Sequence, residues 1–226
     1  GDGERVGGHT VACHAAREPA RCARARLGAL PARDARAARR YPDRGLDRVA
    51  VDGIFITTEL EGDLAKRIHA HQLAFDPKMA NFLPPHVTLI GSSGAGPIPS
   101  DVPLAELKAK ILPVAESTPP ITLRFGPPER FVQREIVSLP LDPHGPIRTL
   151  HERLRGCGLP LMQARYPFTP HCTINLYPTL TPANLKRMLA IRESEEFTVH
   201  TLCVYHTKEP QRPRLLFRVG LQGGEE

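Results

Sequence analysis

The sequence predicts an α+β fold of two lobes, with mainly antiparallel sheets lining a central cleft and helices on the outside. Three observations carry that expectation. The chain has 226 residues, 41% of them hydrophobic, which suffices for one large domain or two small lobes with real cores. A strand–helix–strand order occurs twice along it. Each second strand opens on a proline–histidine pair followed two residues later by threonine. No stretch approaches the roughly 18 consecutive apolar residues of a membrane span.

The formal net charge of +6 is unevenly placed. Residues 1–50 hold 11 Arg and 6 acidic residues, a net of +5, whereas residues 51–226 hold 19 basic and 18 acidic residues. Twelve alanines fill much of the remainder of the first fifty, and no sustained apolar stripe runs through them. Residues 1–48 therefore read as an Arg/Ala-rich extension without a packed structure. A nucleic-acid-binding arm is the alternative for this segment. The charge of the folding part says little about a substrate. Cys13, Cys22, Cys157, Cys172 and Cys203 include no C-x-x-C pair and follow no secretory signal, so reduced thiols in a cytoplasmic protein are expected.

The expected folded domain spans 49–222, with lobe one centred on 50–115, lobe two on 130–200, terminal strands over 197–221 and a tail at 223–226. Ile54, Phe55 and Ile56 lie in a β-branched run ending at Glu59, a strand. Leu64, Ile68 and Phe75 then share one helical face. Pro84-Pro85 stops that helix, and His86-Val87-Thr88-Leu89-Ile90 reads as the second strand. Residues 91–97 read as a flexible surface loop. Leu104, Leu107 and Ile111 line the next helix, which Pro113 ends or kinks. In the second half, residues 136–139 read as a strand, and Pro146 opens a helix carrying Ile147, Leu150 and Leu154. Gly156 and Gly158 close it. His171 to Leu176 is the next strand, and Thr181-Pro182 caps a helix bearing Leu185, Met188 and Leu189. Two strands end the chain, Phe197 to Tyr205 and Arg214 to Leu221, joined across residues 206–213.

The two Pro-His-x-Thr segments, at His86 and His171, stand 85 residues apart. Composition alone predicts about 0.07 such segments in a chain with this much Pro, His and Thr. On a strand, residues i and i+2 share a face, so His86 projects with Thr88, and His171 with Thr173. Val87 and Cys172 point the other way, toward a core. Two lobes facing each other would bring two imidazoles and two hydroxyls into one cleft. One ring can accept a proton while the other donates one, and the hydroxyls can donate to phosphoryl oxygens. Two core histidines that happen to precede threonines are the plainer alternative.

These residues resemble the two-histidine (2H) phosphoesterases, whose signature is a His-x-Thr/Ser-hydrophobic motif occurring twice at about this separation. The resemblance covers about residues 50–222. Ile54-Phe55-Ile56, the Pro-Pro-His approach and Tyr166-Pro167-Phe168-Thr169-Pro170-His171 resemble the 2′-5′ RNA ligase and cyclic phosphodiesterase branch. The resemblance implies a duplicated, two-lobed 2H phosphoesterase fold. It also implies that His86 and His171 are the acid–base pair and Thr88 and Thr173 the phosphate ligands. The implied activity is opening of 2′,3′-cyclic phosphates on RNA or nucleotide ends, or reversible 2′-5′ ligation, with no cofactor and no metal. The implied partners are RNA ends or nucleotides, with no membrane, and the chain is expected to be a monomer. A non-catalytic nucleotide- or RNA-end-binding module on the same fold is one rival reading. A hydrolase restricted to small cyclic nucleotides is the other.

Around the motifs, Asn175 and Tyr177 fall on the His171 face of their strand, and some relatives place a tyrosine near that position. Tyr177 is equally readable as an aromatic at a strand end. Arg165 could pair with a phosphate or be a solvated loop arginine. Phe82 could stack on a base, although a core position suits it better. His69 and His71 spell His-x-His, but on a helix the two point about 200° apart and cannot share an ion. His151 falls on an apolar helix face, as a buried and satisfied histidine does.

Overall fold

The computed structural model describes residues 51–131, 135–164, 166–176 and 180–224, all within one compact unit, Asp47–Glu226. The expectations for residues 1–48, Arg165 and Tyr177 lie outside the described residues. In chain order the elements are β1 (Asp52–Glu59), α1 (Gly62–Phe75), α2 (Pro77–Ala80), β2 (His86–Ile90), α3 (Leu104–Glu116), β3 (Ile121–Arg124) and β4 (Glu129–Arg130). They continue with β5 (Val137–Pro140), α4 (Pro146–Arg155), β6 (His171–Asn175), α5 (Pro182–Leu189), β7 (Glu196–Val199), β8 (Thr201–Lys208) and β9 (Arg214–Gly220). The strands form sheets in the orders β2-β1-β8-β9, β4-β5-β6 and β3-β7. Every pairing is antiparallel, so the fold is α+β, as expected.

Periodicity explains the elements. In β1, Ile54, Ile56 and Thr58 are buried at every second position. α1 buries Leu64, Ile68, Gln72 and Phe75, and α4 buries Ile147, Leu150, His151 and Leu154, each at helical spacing. Thr181 caps α5 by accepting the Asn184 N–H at 3.1 Å. One apolar cluster runs through both halves, from Ile56 and Leu89 to Leu139 and Ile174.

The structure corrects four expectations. α3 passes through Pro113 to Glu116, because a proline so near the helix end removes little of the ladder while Ile111, Val114 and Ala115 bury the last turn. The expected strand from Phe197 to Tyr205 is two strands. β7 pairs with β3, β8 pairs with β1, and the chain changes sheet at His200. Residues 91–97 are tied down rather than loose: Gly94 N–H donates to Tyr166 O at 2.8 Å and Gly96 N–H to Met162 O at 3.0 Å. Gly94 has φ +72°, and a Cβ there would stand 2.5 Å from His151 Nε2, so both the turn and the close approach require glycine. Finally, the short elements α2, β3 and β4 add to the expected plan.

The duplication is visible in the pairing register. Ile56 faces Ile90 and Thr57 faces Thr88, which leaves Leu89 as an extra residue. Val137 faces Asn175 and Ser138 faces Thr173, which leaves Ile174 extra in the same place. Leu60 N–H donates to Pro85 O, and Leu141 N–H to Pro170 O, both at 2.9 Å. Each half also reaches into the other with one buried polar side chain. Gln72 on α1 donates to Thr173 O at 2.8 Å, and His151 on α4 donates to Leu89 O at 2.8 Å. Strands β2 and β6 pack together where the halves meet.

Candidate active site

The motif strands behave as their spacing requires. Val87, Leu89, Cys172 and Ile174 are fully buried, while His86, Thr88, His171 and Thr173 are each half-buried on the opposite side. The Cys172 thiol lies against the backbone of His86, and burial pushes it up to about 12. It belongs to the joint between β2 and β6, where its contact is with the His86 backbone rather than with an imidazole nitrogen.

Both imidazoles are held alike. His86 Nδ1 lies 2.7 Å from Pro84 O, and His171 Nδ1 lies 2.7 Å from Thr169 O. A carbonyl can only accept, so each Nδ1 carries the hydrogen and each Nε2 keeps its lone pair when the ring is neutral. The same two-residue reach backward recurs because each histidine follows a proline at the head of its strand. Burial pulls both rings below the usual histidine value, and the carbonyl contacts oppose it. The charge of Glu59 also opposes it at His86, whereas the charge of His86 adds to it at His171. The two rings are therefore near enough to feel each other's protonation.

Several neighbours were not apparent from the sequence. Phe131 sets its ring edge-on to His171, with centroids 5.0 Å apart and planes at 78°. It is brought there by the hairpin in which Phe131 N–H donates to Ile136 O at 3.0 Å, and no local pattern announces that. Glu59 stands directly opposite His86 across the β1/β2 ladder. It accepts from the Tyr205 hydroxyl and from Arg218 Nη2 at 2.8 Å. Thr57 and Ser138 stand opposite the two motif threonines, and Ser138 Oγ is buried with no hydrogen-bond partner among the described residues. Glu59, Thr57 and Ser138 reach these places through the pairing of strands that a helix separates in the chain, so no local spacing points to them.

Asn175, expected on the His171 face, is instead fully buried. Its Oδ1 accepts the Val137 N–H at 2.8 Å and its Nδ2 donates to Glu135 O at 2.9 Å, at the irregular point of the ladder. The extra residue Ile174 turns that side chain away from the motif face. Phe82 is half-buried in the turn before β2 and lies outside the apolar cluster. His151 is 1% exposed and stacks on Phe168 at 3.8 Å, a satisfied core histidine. His71 contacts Glu193 at 3.3 Å, and among the described residues no group of three or more His, Cys, Asp or Glu could hold a metal ion. A concavity of about 680 Å³ is bounded by Gly94, Arg155, Met162, Gln163 and Tyr166 and includes neither motif histidine.

A duplicated α+β fold with a His-x-Thr strand in each half defines the class, and the comparisons agree. Residues 60–211 match the family model described as the 2′-5′ RNA ligase superfamily, and the chain belongs to that family. Its fold is similar to that of E. coli LigT crystallised with 3′-AMP, with a TM-score of 0.50 and 21% identity over 75% of this chain and 98% of LigT. It is similar also to TT0787 of Thermus thermophilus, with a TM-score of 0.53 and 17% identity over 77% of this chain and 100% of that one. A crystal structure described as a phosphoesterase matches at 0.50 and 19% identity, over 76% and 99% of the two chains. No curated protein matches the sequence.

Proposed function

We propose that the protein is a metal-independent phosphoesterase that opens 2′,3′-cyclic phosphates on RNA or nucleotide ends and, with an RNA 5′-hydroxyl in place of water, makes 2′-5′ linkages. The observation that carries this reading is the pair of imidazoles, each clamped through Nδ1 to a carbonyl with Nε2 left for chemistry. Each also has a threonine on the same strand face. One Nε2 takes the proton of a water molecule as its oxygen bonds to phosphorus. The P–O bond to the ribose breaks, and the leaving oxygen takes a proton from the other Nε2. Thr88 and Thr173 donate to the non-bridging oxygens as charge builds on them. Base, acid and anion donors are all supplied by side chains, so no step calls for a metal. The family and the 3′-AMP bound by LigT, a fold neighbour, support a nucleotide phosphate as ligand.

The test is product analysis with purified protein on 2′,3′-cyclic nucleotides, RNA with a cyclic phosphate end, and 2′-5′ and 3′-5′ linked dinucleotides, with chelator present. Opening of the cyclic phosphates is expected, with each of His86→Ala and His171→Ala lowering kcat by about 10²–10⁴-fold. Binding of nucleoside phosphates without turnover, or turnover restored only by a divalent ion, would overturn the proposal.

A further inference from the structure

The two halves repeat each other closely at the histidines, which makes a charged difference between them informative. Both rings share the Nδ1 clamp, the motif threonine and the extra residue after it. The cross-strand neighbour of His86 is Glu59, whereas the equivalent neighbour of His171 is Pro140. Cross-strand partners point to the same face, so a carboxylate accompanies one imidazole and an uncharged ring the other.

Glu59 is also fixed in place. Its carboxylate accepts one hydrogen bond from Tyr205 on β8 and one from Arg218 on β9, and its side chain is only 14% exposed. Glu59 is held below the usual carboxylate range by the Tyr205 and Arg218 hydrogen bonds, which outweigh the effect of burial. The carboxylate is therefore ionised throughout the range in which a histidine titrates. Among the described residues, the charged and titratable groups around His86 are Glu59 on β1, Tyr205 and Cys203 on β8, Arg218 on β9, and His171 and Cys172 on β6. The two thiols and the phenol are pushed upward and stay neutral at pH 7. Arg218 spends its charge on Glu59 itself.

We propose that Glu59, clamped by Tyr205 and Arg218, is a positioning residue that places the resident proton of the pair on His86, making His86 the acid and His171 the base. The assignment rests on the phosphoesterase reading given above. Glu59 favours the His86 imidazolium, and that imidazolium disfavours protonation of His171. His171 Nε2 then accepts the water proton, and His86 Nε2 gives its proton to the departing ribose oxygen. The edge-on ring of Phe131 adds no charge to His171.

The experiment is an NMR titration of the imidazole nitrogens in the full chain without substrate, assigned with His86→Gln and His171→Gln. Wild type, Glu59→Gln and Arg218→Met are compared, and pH–rate profiles on a 2′,3′-cyclic nucleotide are measured in parallel. His86 is expected to titrate above His171. Glu59→Gln, which keeps a hydrogen-bonding group for Tyr205, should move the His86 titration and the alkaline limb of kcat about one pH unit lower. Arg218→Met, which unmasks Glu59, should move both higher. KM should change little in either variant. Opposite shifts from two changes in one cluster are what an electrostatic role produces and a packing defect does not. The proposal fails if His171 titrates above His86, if Glu59→Gln leaves His86 unmoved, or if both variants shift it in one direction. A chain that titrates in the expected order yet opens no cyclic phosphate supports the proton placement and removes the proposed activity.

Discussion

In the proposed reaction the four motif residues divide into two kinds of work, which separate variants can tell apart. A histidine moves a proton, whereas a threonine hydroxyl donates to an oxygen that gains charge only as the reaction proceeds. Thr88 and Thr173 are half-buried beside Thr57 and Ser138. Thr88→Val keeps the shape and removes the donor. It is expected to lower kcat for cyclic phosphate opening by about 10²-fold while leaving the fold intact. Circular dichroism and steady-state kinetics check this, and an unchanged kcat would remove Thr88 from the phosphate-binding role. The His-x-Thr spacing was legible because side chains on a strand alternate. Phe131 and Glu59 were not, because their proximity to the histidines comes from a hairpin and a cross-strand pairing.

At the level of elements, the extra residue in each motif strand shapes the site more than propensity does. It leaves a ladder donor that needs a partner, and in the second half Asn175 provides it to Val137. Replacing Asn175 by Ala orphans a buried N–H, so a loss of about 1–3 kcal/mol is expected, read as a lower urea midpoint. A loss below a few tenths would show that water or the backbone takes over the bond. Asp76 does comparable work at the start of α2. Its Oδ1 accepts the Met79 N–H at 3.0 Å and its Oδ2 the Leu176 N–H at 2.9 Å, tying the end of β6 to the first half. Strand and helix positions followed from periodicity, but the division of residues 196–208 between two sheets did not. A β-branched run reports that a segment is extended, and says nothing of which neighbour it pairs with.

For the molecule as a whole, three half-buried or buried histidines link stability to pH. Burial holds His86, His151 and His171 below their ordinary value of 6.5. Once unfolded, each takes up a proton near 6.5, so below that pH the unfolded chain binds more protons than the folded one. Their contribution is complete above pH 6.5 and is lost as pH falls through the lower folded values. The urea midpoint is therefore expected to drop between pH 7.5 and 5.5. His151→Gln, which keeps a donor for Leu89 O, should reduce the drop. A midpoint that is flat or rises over this range would contradict the linkage. No helix among the described residues is long and apolar enough to cross a membrane.

The amino-acid sequence by itself determined the α+β class, the internal repeat and the identity of the four residues that recur with it. These depend on periodicity and local spacing, which a chain carries wherever it folds. Tertiary structure decided the rest: the antiparallel registers, the Nδ1 clamps, the burial of Asn175, and the placing of Glu59 beside one histidine and Pro140 beside the other. Except for the Nδ1 clamps, which reach back only two residues and take their place from the fold of each strand's entry, each of these is a contact between segments far apart in the chain. Pairing and packing create such contacts, and local patterns cannot encode them. The two His-x-Thr strands look equivalent in the sequence, and only their neighbours across the ladder make them different.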